Sequence, residues 1–212
     1  MSGYEANQRF VAEATVEPEH IARARAQALE LGAQPVSAPI GAQLAVLAAA
    51  SRARSIIEVG TGGGVSGLWL LHGAPTATLT TIDSEPEHLG AARQAFADAR
   101  IPAARARFIT GRAADVLPRM NEASYDIVLI DADPEGVIEY VEHGLRLVRS
   151  GGIVLVPRVL AGGAVADPVR RDPITAAYRS LIHETQSSAA VVGALSITGE
   201  GLLQLTTVPE TP

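Results

Sequence analysis

The chain has 212 residues, of which 47% are hydrophobic and 19% charged, so it can bury a substantial core as one domain without disulfides or metals. A net charge of −6 with no basic run excludes a typical nucleic-acid-binding surface, and no apolar stretch approaches the roughly 20 residues of a membrane span. We therefore expect a cytoplasmic protein with neither kind of partner. Cysteine and lysine are both absent, which excludes thiol and lysine nucleophiles and P-loop chemistry.

Two segments precede the first predicted strand. Residues 1–16 are polar and unpatterned, so we predict an N-terminal arm that is mobile or packs on a partner subunit, ahead of a single domain over residues 17–212. A helix is predicted from Pro18 to Leu31, because its apolar residues recur at helical spacing and Gly32 can end it. A second helix is predicted to follow Ser37.

The remainder of the chain alternates between short apolar segments and helical patterns. Buried strands are predicted at 55–59, 78–82, 106–110, 126–130 and 152–156, with helices at 65–71, 86–99, 113–120 and 137–148. A last helix at 174–183 precedes two strands, 189–197 and 202–208, that read as an antiparallel hairpin. This order predicts an α/β, three-layer, Rossmann-like fold with a mainly parallel seven-stranded sheet and a C-terminal antiparallel hairpin.

A glycine-rich loop, Glu58 to Gly64, ends the first predicted strand and opens a helix, where glycines let a ligand approach the backbone. The dinucleotide fingerprint requires glycine at the sixth position counted from Gly60, but Val65 stands there, which disfavours NAD. The pattern acid-x-Gly-x-Gly-x-Gly fits S-adenosylmethionine (SAM) better, because SAM is cationic and carries no phosphate. Asp83 ends the second predicted strand, where it could bind the ribose hydroxyls.

Each of these features also has a purely structural interpretation. The glycines alone could form a tight strand-to-helix turn, and Asp83 alone could cap the helix that begins near Pro86. Asp131 and Asp133 could likewise cap a strand-to-loop junction. Their combined order and spacing favour a ligand site at the carboxyl ends of parallel strands.

These residues resemble class I SAM-dependent methyltransferases, in particular the cation-dependent O-methyltransferases that include the catechol and caffeoyl-CoA enzymes. The resemblance covers nearly the whole chain, from about residue 16 to residue 208, and its most specific motif is Asp131-Ala132-Asp133. The matching segments are 58–66, 81–83, 111–114, 125–133 and 165–168.

The resemblance implies the cofactor SAM, the product S-adenosylhomocysteine (SAH), a small-molecule substrate and a homodimer. It implies that Asp131 is catalytic and lies between cofactor and substrate, with Asp133 beside it. The positions implied to bind the cofactor are Val36 and Ser66 at the methionine end, Glu58, Gly60, Thr61 and Gly62 in the loop, Asp83 at the ribose, Ala113 at the adenine, and Ser84, Asp131 and Asp133.

Two departures from the family pattern concern the metal and the base. Pro134 stands where the family has a lysine base, and Pro157-Arg158 stands where an Asp-Asn pair would complete a divalent-metal site with Asp131. Mg²⁺ needs several oxygen ligands and a guanidinium repels it, so we expect no divalent metal. We predict instead that Arg158 reaches Asp131, replaces the missing cation and binds substrate together with it; the alternative is a surface arginine.

Two functions remain after this comparison. The first is a SAM-dependent O-methyltransferase that acts on a small molecule without metal, on an acceptor that is already ionised or with Asp133 as a weak base. The second is a SAM-binding pseudoenzyme with a sensor or structural role. The five histidines are expected to be solvated or capping residues, and His88 in particular is expected to lie away from the strand ends.

Overall fold

A computed structural model describes residues 2–207, so Met1 and residues 208–212 lie outside the description. Within this range the chain forms seven strands and eight α-helices, with short 3-10 turns between some of them. The strands are β1 (Ser55–Val59), β2 (Thr78–Asp83), β3 (Ala106–Thr110), β4 (Tyr125–Ile130), β5 (Val148–Pro157), β6 (Val191–Ser196) and β7 (Leu202–Thr207). The helices are α1 (Gly3–Ala14), α2 (Glu19–Glu30), α3 (Ala38–Ala50), α4 (Val65–Gly73), α5 (Pro86–Asp98), α6 (Ala113–Val116), α7 (Val137–Leu147) and α8 (Pro173–Ser187).

The strands form one sheet in the order β3-β2-β1-β4-β5-β7-β6. The first five strands are parallel to one another, and β7 pairs antiparallel with both β5 and β6. Strand order reverses at β1, which pairs with β2 on one side and β4 on the other. In such sheets a crevice opens at the carboxyl ends of the strands beside this point, which is where ligands bind.

Helices cover both faces of the sheet, because buried strand residues alternate between the two faces. Ile56 and Leu129 face a core that α2, α3, α4 and α5 complete, with Leu44, Leu68 and Phe96 among its members. Their strand neighbours face a second core completed by α7 and α8; it includes Ile57, Val128, Tyr140, Val141, Tyr178 and Leu181. The predicted three-layer α/β fold and its C-terminal antiparallel hairpin are therefore confirmed.

The main difference from the sequence prediction is at the N-terminus. Residues 3–14 form a helix, α1, where we expected an unpatterned arm, and none of its residues is buried. Its apolar residues do recur at helical spacing, as Phe10 with Ala14 and Tyr4 with Val11 show, although they are not buried. A second signal was a capping box, in which the Ser2 side chain accepts from the Glu5 N–H and Glu5 accepts from the Ser2 N–H.

Smaller differences occur at element ends. Strand β5 begins at Val148, four residues before the prediction, because Val148 pairs with Tyr125 ahead of an irregular stretch and regular pairing resumes at Ile153. Helix α8 continues to Ser187. Val208, the last residue of the predicted hairpin, lies outside the described residues. No helix within residues 2–207 combines the length and apolar character that a bilayer crossing requires.

Candidate active site

The glycine loop is held to its neighbouring strands by backbone hydrogen bonds. The Gly60 N–H donates to the Ile82 carbonyl at 2.8 Å, and the Asp131 N–H donates to the Val59 carbonyl at 2.8 Å. Gly60 has φ of 89°, and a Cβ there would lie 2.0 Å from the Asp131 carbonyl oxygen. Only glycine fits this position, both for its conformation and for its space, so the carboxyl ends of β1 and β4 meet closely.

A cavity of about 490 Å³ opens above these strand ends, a volume typical of small-molecule sites. It brings together all the residues that we singled out from the sequence except Val36 and Glu58. The predicted residues on its wall are Gly60, Thr61, Gly62, Ser66, Asp83, Ser84, Ala113, Asp131, Asp133 and Arg158.

Asp83 is fixed in the cavity wall by backbone donors. Its Oδ2 accepts from the Gly62 N–H at 2.8 Å, and its Oδ1 accepts from the Glu85 N–H at 2.9 Å. The Nδ1 atom of His88 lies 3.6 Å from the same Oδ1. The carboxylate thus connects the glycine loop to the end of β2 and presents a rigid negative group to the cavity.

Glu58 lies beneath the loop, fully buried, and does not line the cavity. Its carboxylate accepts from the hydroxyls of Ser66 and Thr81, each at 2.6 Å. Thr61 lies 2.6 Å from the Thr81 hydroxyl, whose proton is already given to Glu58, so Thr61 is the donor there. Burial raises the pKa of Glu58 to about 7, although these hydroxyls oppose the rise. Glu58 is connected to the cavity wall through Ser66 on one side and through Thr81 and Thr61 on the other.

Val36 also stands apart from the large cavity. Its side chain is 3% exposed, and it lines a neighbouring cavity of about 170 Å³. The residues just before it, Ala33, Gln34 and Pro35, contribute to the wall of the large cavity instead.

The predicted contact between Arg158 and Asp131 is confirmed. The Nη2 of Arg158 donates to Asp131 Oδ1, and its Nη1 donates to the Gln34 carbonyl at 2.5 Å. Arg158 has φ of 62°, a left-handed conformation that costs a non-glycine residue about 1–3 kcal/mol and is concentrated at functional sites. Burial raises the pKa of Asp131 to about 6, while the Arg158 guanidinium opposes the rise.

Asp133 accepts a hydrogen bond from the Tyr140 hydroxyl at 3.0 Å. Burial and the hydrogen bond to Asp133 raise the pKa of Tyr140 to about 12, so this tyrosine stays protonated and acts as a donor. Tyr140 also lines the cavity, and it fixes the direction of the Asp133 carboxylate.

The sequence prediction missed or misplaced several cavity residues, among them His88, Arg112 and Tyr140. His88 was expected to lie away from the strand ends, but it lines the cavity from the first turn of α5. Arg112 and Tyr140 were not considered, and both line the cavity as well. Position was a usable signal for Arg112, because residues that follow the strand ends lie at the same edge of a parallel sheet.

The charges of the cavity suit a cationic ligand without phosphate. Four carboxylates lie on its wall, those of Asp83, Glu85, Asp131 and Asp133, and Arg112 and Arg158 are the arginines there. Within residues 2–207 no group of three or more histidine, aspartate or glutamate side chains is placed to hold a metal ion. The glycine cradle, the carboxylate at the end of β2 and the volume fit SAM.

Comparisons with known proteins found a matching family and similar relatives. A family model described as O-methyltransferase matches residues 13–192. A probable O-methyltransferase of Mycobacterium tuberculosis is 48% identical over 184 residues, which cover 86% of this chain and 82% of the relative. A putative O-methyltransferase of Mycobacteroides abscessus is 44% identical over 191 residues, covering 90% of this chain and 89% of the relative.

Solved structures are similar over almost the whole chain. A protein of Corynebacterium glutamicum has a TM-score of 0.90 at 30% identity, with 99% of each chain covered. The O-methyltransferase TomG of Streptomyces achromogenes, which is involved in tomaymycin synthesis and was crystallised with SAM, has a TM-score of 0.84 at 30% identity. That comparison covers 99% of this chain and 100% of TomG.

Proposed function

Because the chain belongs to the class I SAM-dependent O-methyltransferase family, we propose that it methylates an oxygen of a small molecule without a divalent metal. The observation that carries this proposal is the ion pair of Asp131 with Arg158, where the resembling enzymes have a metal site. The guanidinium supplies the positive charge that the metal would otherwise provide.

Different residues of the large cavity would bind different parts of the cofactor. Asp83 would bind the ribose hydroxyls, Ala113 would contact the adenine, and Ser66 with Asp131 would hold the methionine end. When bound, SAM supplies a methyl group on a positively charged sulfur and leaves as the neutral thioether SAH. The loop backbone at Gly60 to Gly62 orients it, and the close contact of β1 with β4 excludes water beneath it.

Arg158 is the residue that we assign to the acceptor. Its guanidinium has five N–H donors, of which one is given to Asp131 and one to the Gln34 carbonyl. The remaining donors can stabilise an ionised acceptor oxygen, such as a phenolate or carboxylate, which then needs no strong base. Asp133 can take a proton from an acceptor that arrives neutral, while Tyr140 keeps its carboxylate in place.

We also propose that the protein works as a cytoplasmic homodimer. Exposed apolar side chains on α1 support this, since Tyr4, Phe10 and Val11 are 48%, 70% and 45% exposed. Light scattering on a sizing column tests it: a wild-type dimer that Phe10→Glu converts to a monomer is the expected result. A monomeric wild type contradicts it.

A titration calorimeter and a methyl-transfer screen test the main proposal. SAM and SAH should bind with the same affinity with and without EDTA, and transfer of a tritiated methyl group to phenols or carboxylates should persist in EDTA. Activity that EDTA abolishes and Mg²⁺ restores would contradict metal independence.

Pro134 and Arg158, which replace the lysine base and a metal ligand, favour one alternative, a SAM-binding protein without transfer activity. This alternative predicts tight SAH binding together with no labelled product from any phenol, carboxylate or cell extract. Labelled product that disappears in Arg158→Gln while SAH still binds would support the enzyme.

A further inference from the structure

Residues 33–37, which we call the strap, form the partition between the two cavities. Ala33, Gln34 and Pro35 line the large cavity, and residues 34–37 line the small one. Gln34, Pro35 and Arg158 border both. The strap therefore borders the proposed cofactor site, and it begins beside the glycine loop, where a Cβ on Gly62 would lie 3.8 Å from the Ala33 Cβ.

Two arginines from different parts of the chain hold the strap by its carbonyl groups. Arg158 Nη1 donates to the Gln34 carbonyl at 2.5 Å, and Arg25 Nη1 donates to the Val36 carbonyl at 2.6 Å. In the described part of the chain, neither carbonyl accepts a backbone N–H outside the regular elements. Backbone hydrogen bonds hold the two ends of the strap at Ala33 and Ser37, and the Val36 side chain is buried, so the two arginines fix the carbonyl groups of its middle part.

The two arginines differ in how firmly they are themselves held. Arg25 donates from Nε and Nη2 to Glu17 at 2.9 and 2.7 Å, and Glu17 also accepts from the Trp69 indole N–H at 3.2 Å. The Arg25 and Glu17 side chains are only 20% and 14% exposed. Arg158, by contrast, donates to Asp131 on the cavity wall itself, where a ligand can compete for its N–H groups.

We infer that Arg25 is a positioning residue that anchors the strap permanently at Val36, whereas Arg158 holds it releasably at Gln34 so that the cofactor can exchange there. This inference rests on the proposed assignment of the large cavity to SAM. A charge-assisted hydrogen bond fixes a carbonyl more firmly than a neutral one, so loss of the Arg25 bond loosens the whole strap. Loss of the Arg158 bond frees the Gln34 end alone.

The experiment compares Arg25→Gln and Arg25→Lys with Arg23→Gln, a control on the same helix. Arg23 forms an exposed pair with Glu19, and its loss should change nothing in the strap. Lysine keeps the positive charge beside Glu17 but lacks the branched guanidinium that bonds Glu17 and the Val36 carbonyl together. Arg25→Lys therefore removes the strap contact while keeping the charge that the fold needs. Two quantities are measured: amide hydrogen exchange of Gln34, Val36 and Ser37 in the ligand-free protein, and the dissociation rate of SAH.

Both Arg25 variants should accelerate strap exchange and raise the SAH dissociation rate by about 10- to 100-fold, the range for a hydrogen bond to a charged donor. In wild type, the Gln34 amide should exchange faster than the Ser37 amide, which belongs to the same peptide group as the Val36 carbonyl. Unchanged exchange in Arg25→Lys, or equal exchange at Gln34 and Ser37, would overturn the inference. A wild type that binds no SAH would refute the proposed function instead, while the exchange data would still decide the positioning role.

Discussion

Replacing Arg158 with glutamine removes the positive partner of a carboxylate that has little access to water. The side chain of Asp131 is 8% exposed and that of Arg158 is 26% exposed. Two unit charges about 4 Å apart attract by about 4 kcal/mol at an effective dielectric of 20, and removing one partner of a buried pair costs about 3–5 kcal/mol. Since water can partly reach the vacated position, we expect Arg158→Gln to lower the free energy of unfolding by about 3 kcal/mol at pH 8.

The loss of stability in Arg158→Gln should grow as the pH rises. Arg158 opposes the rise in the pKa of Asp131, so without it the pKa lies further above about 6. The folded variant then holds a proton on Asp131 more tightly than the unfolded chain does, and its stability falls as the pH rises. At about pH 5 Asp131 is largely protonated in both proteins, so their stabilities should converge there.

Urea unfolding at about pH 5 and about pH 8 measures both effects. Arg9→Gln is the matched control, because Arg9 and its partner Glu13 are 68% and 62% exposed, and it should cost less than about 1 kcal/mol at either pH. The reasoning is refuted if Arg158→Gln lowers the free energy of unfolding by less than about 1 kcal/mol at pH 8, or by the same amount at both pH values.

Three further changes test other parts of the site. Gly60→Ala should abolish SAH binding and lower the melting temperature, because the new Cβ would lie 2.0 Å from a backbone oxygen. The control Gly90→Ala lies on the surface of α5 with open space around it, so it should leave the melting temperature unchanged or raise it. Asp83→Asn should weaken SAH binding by about 10- to 100-fold in calorimetry, and the exposed Glu87→Gln should leave it unchanged; equal affinities would argue against a ribose contact. Burial raises the pKa of Glu58 from its usual 4.5 to about 7, so the folded state holds this proton more tightly than the unfolded chain and loses stability as the pH rises through that range. Glu58→Gln should reduce this loss of stability. Unfolding curves that keep the wild-type pH dependence would contradict this.

The fold could be predicted because each buried strand is a short apolar run bounded by turn residues. The same property limited the site prediction. Ile56, Ile57, Glu58 and Val59 are all buried, so the strand shows no alternation from which the direction of Glu58 could be inferred. We expected its carboxylate to contact the cofactor, and the structure places it behind Ser66.

The Arg158 contact was predictable for a different reason. The family resemblance puts Arg158 at the position of a metal ligand next to Asp131, and the parallel pairing of β4 with β5 brings the residues that follow these strands together. His88 and Tyr140 depend on which face of a helix turns toward the sheet edge, and this follows from packing of the whole helix. Helix α1 was missed because the segment was taken as an unpatterned arm, although it has a capping box and apolar residues at helical spacing.

The chain contains a single tryptophan, Trp69, which is 3% exposed and donates its indole N–H to Glu17. Intrinsic fluorescence therefore comes mainly from one ring, whose hydrogen-bond acceptor is also the partner of Arg25. A loosened strap anchor should admit water to the indole and shift its emission to longer wavelength. Tryptophan fluorescence of the unlabelled protein can thus report on the strap anchor at Val36 while the cofactor site beside Gln34 is titrated.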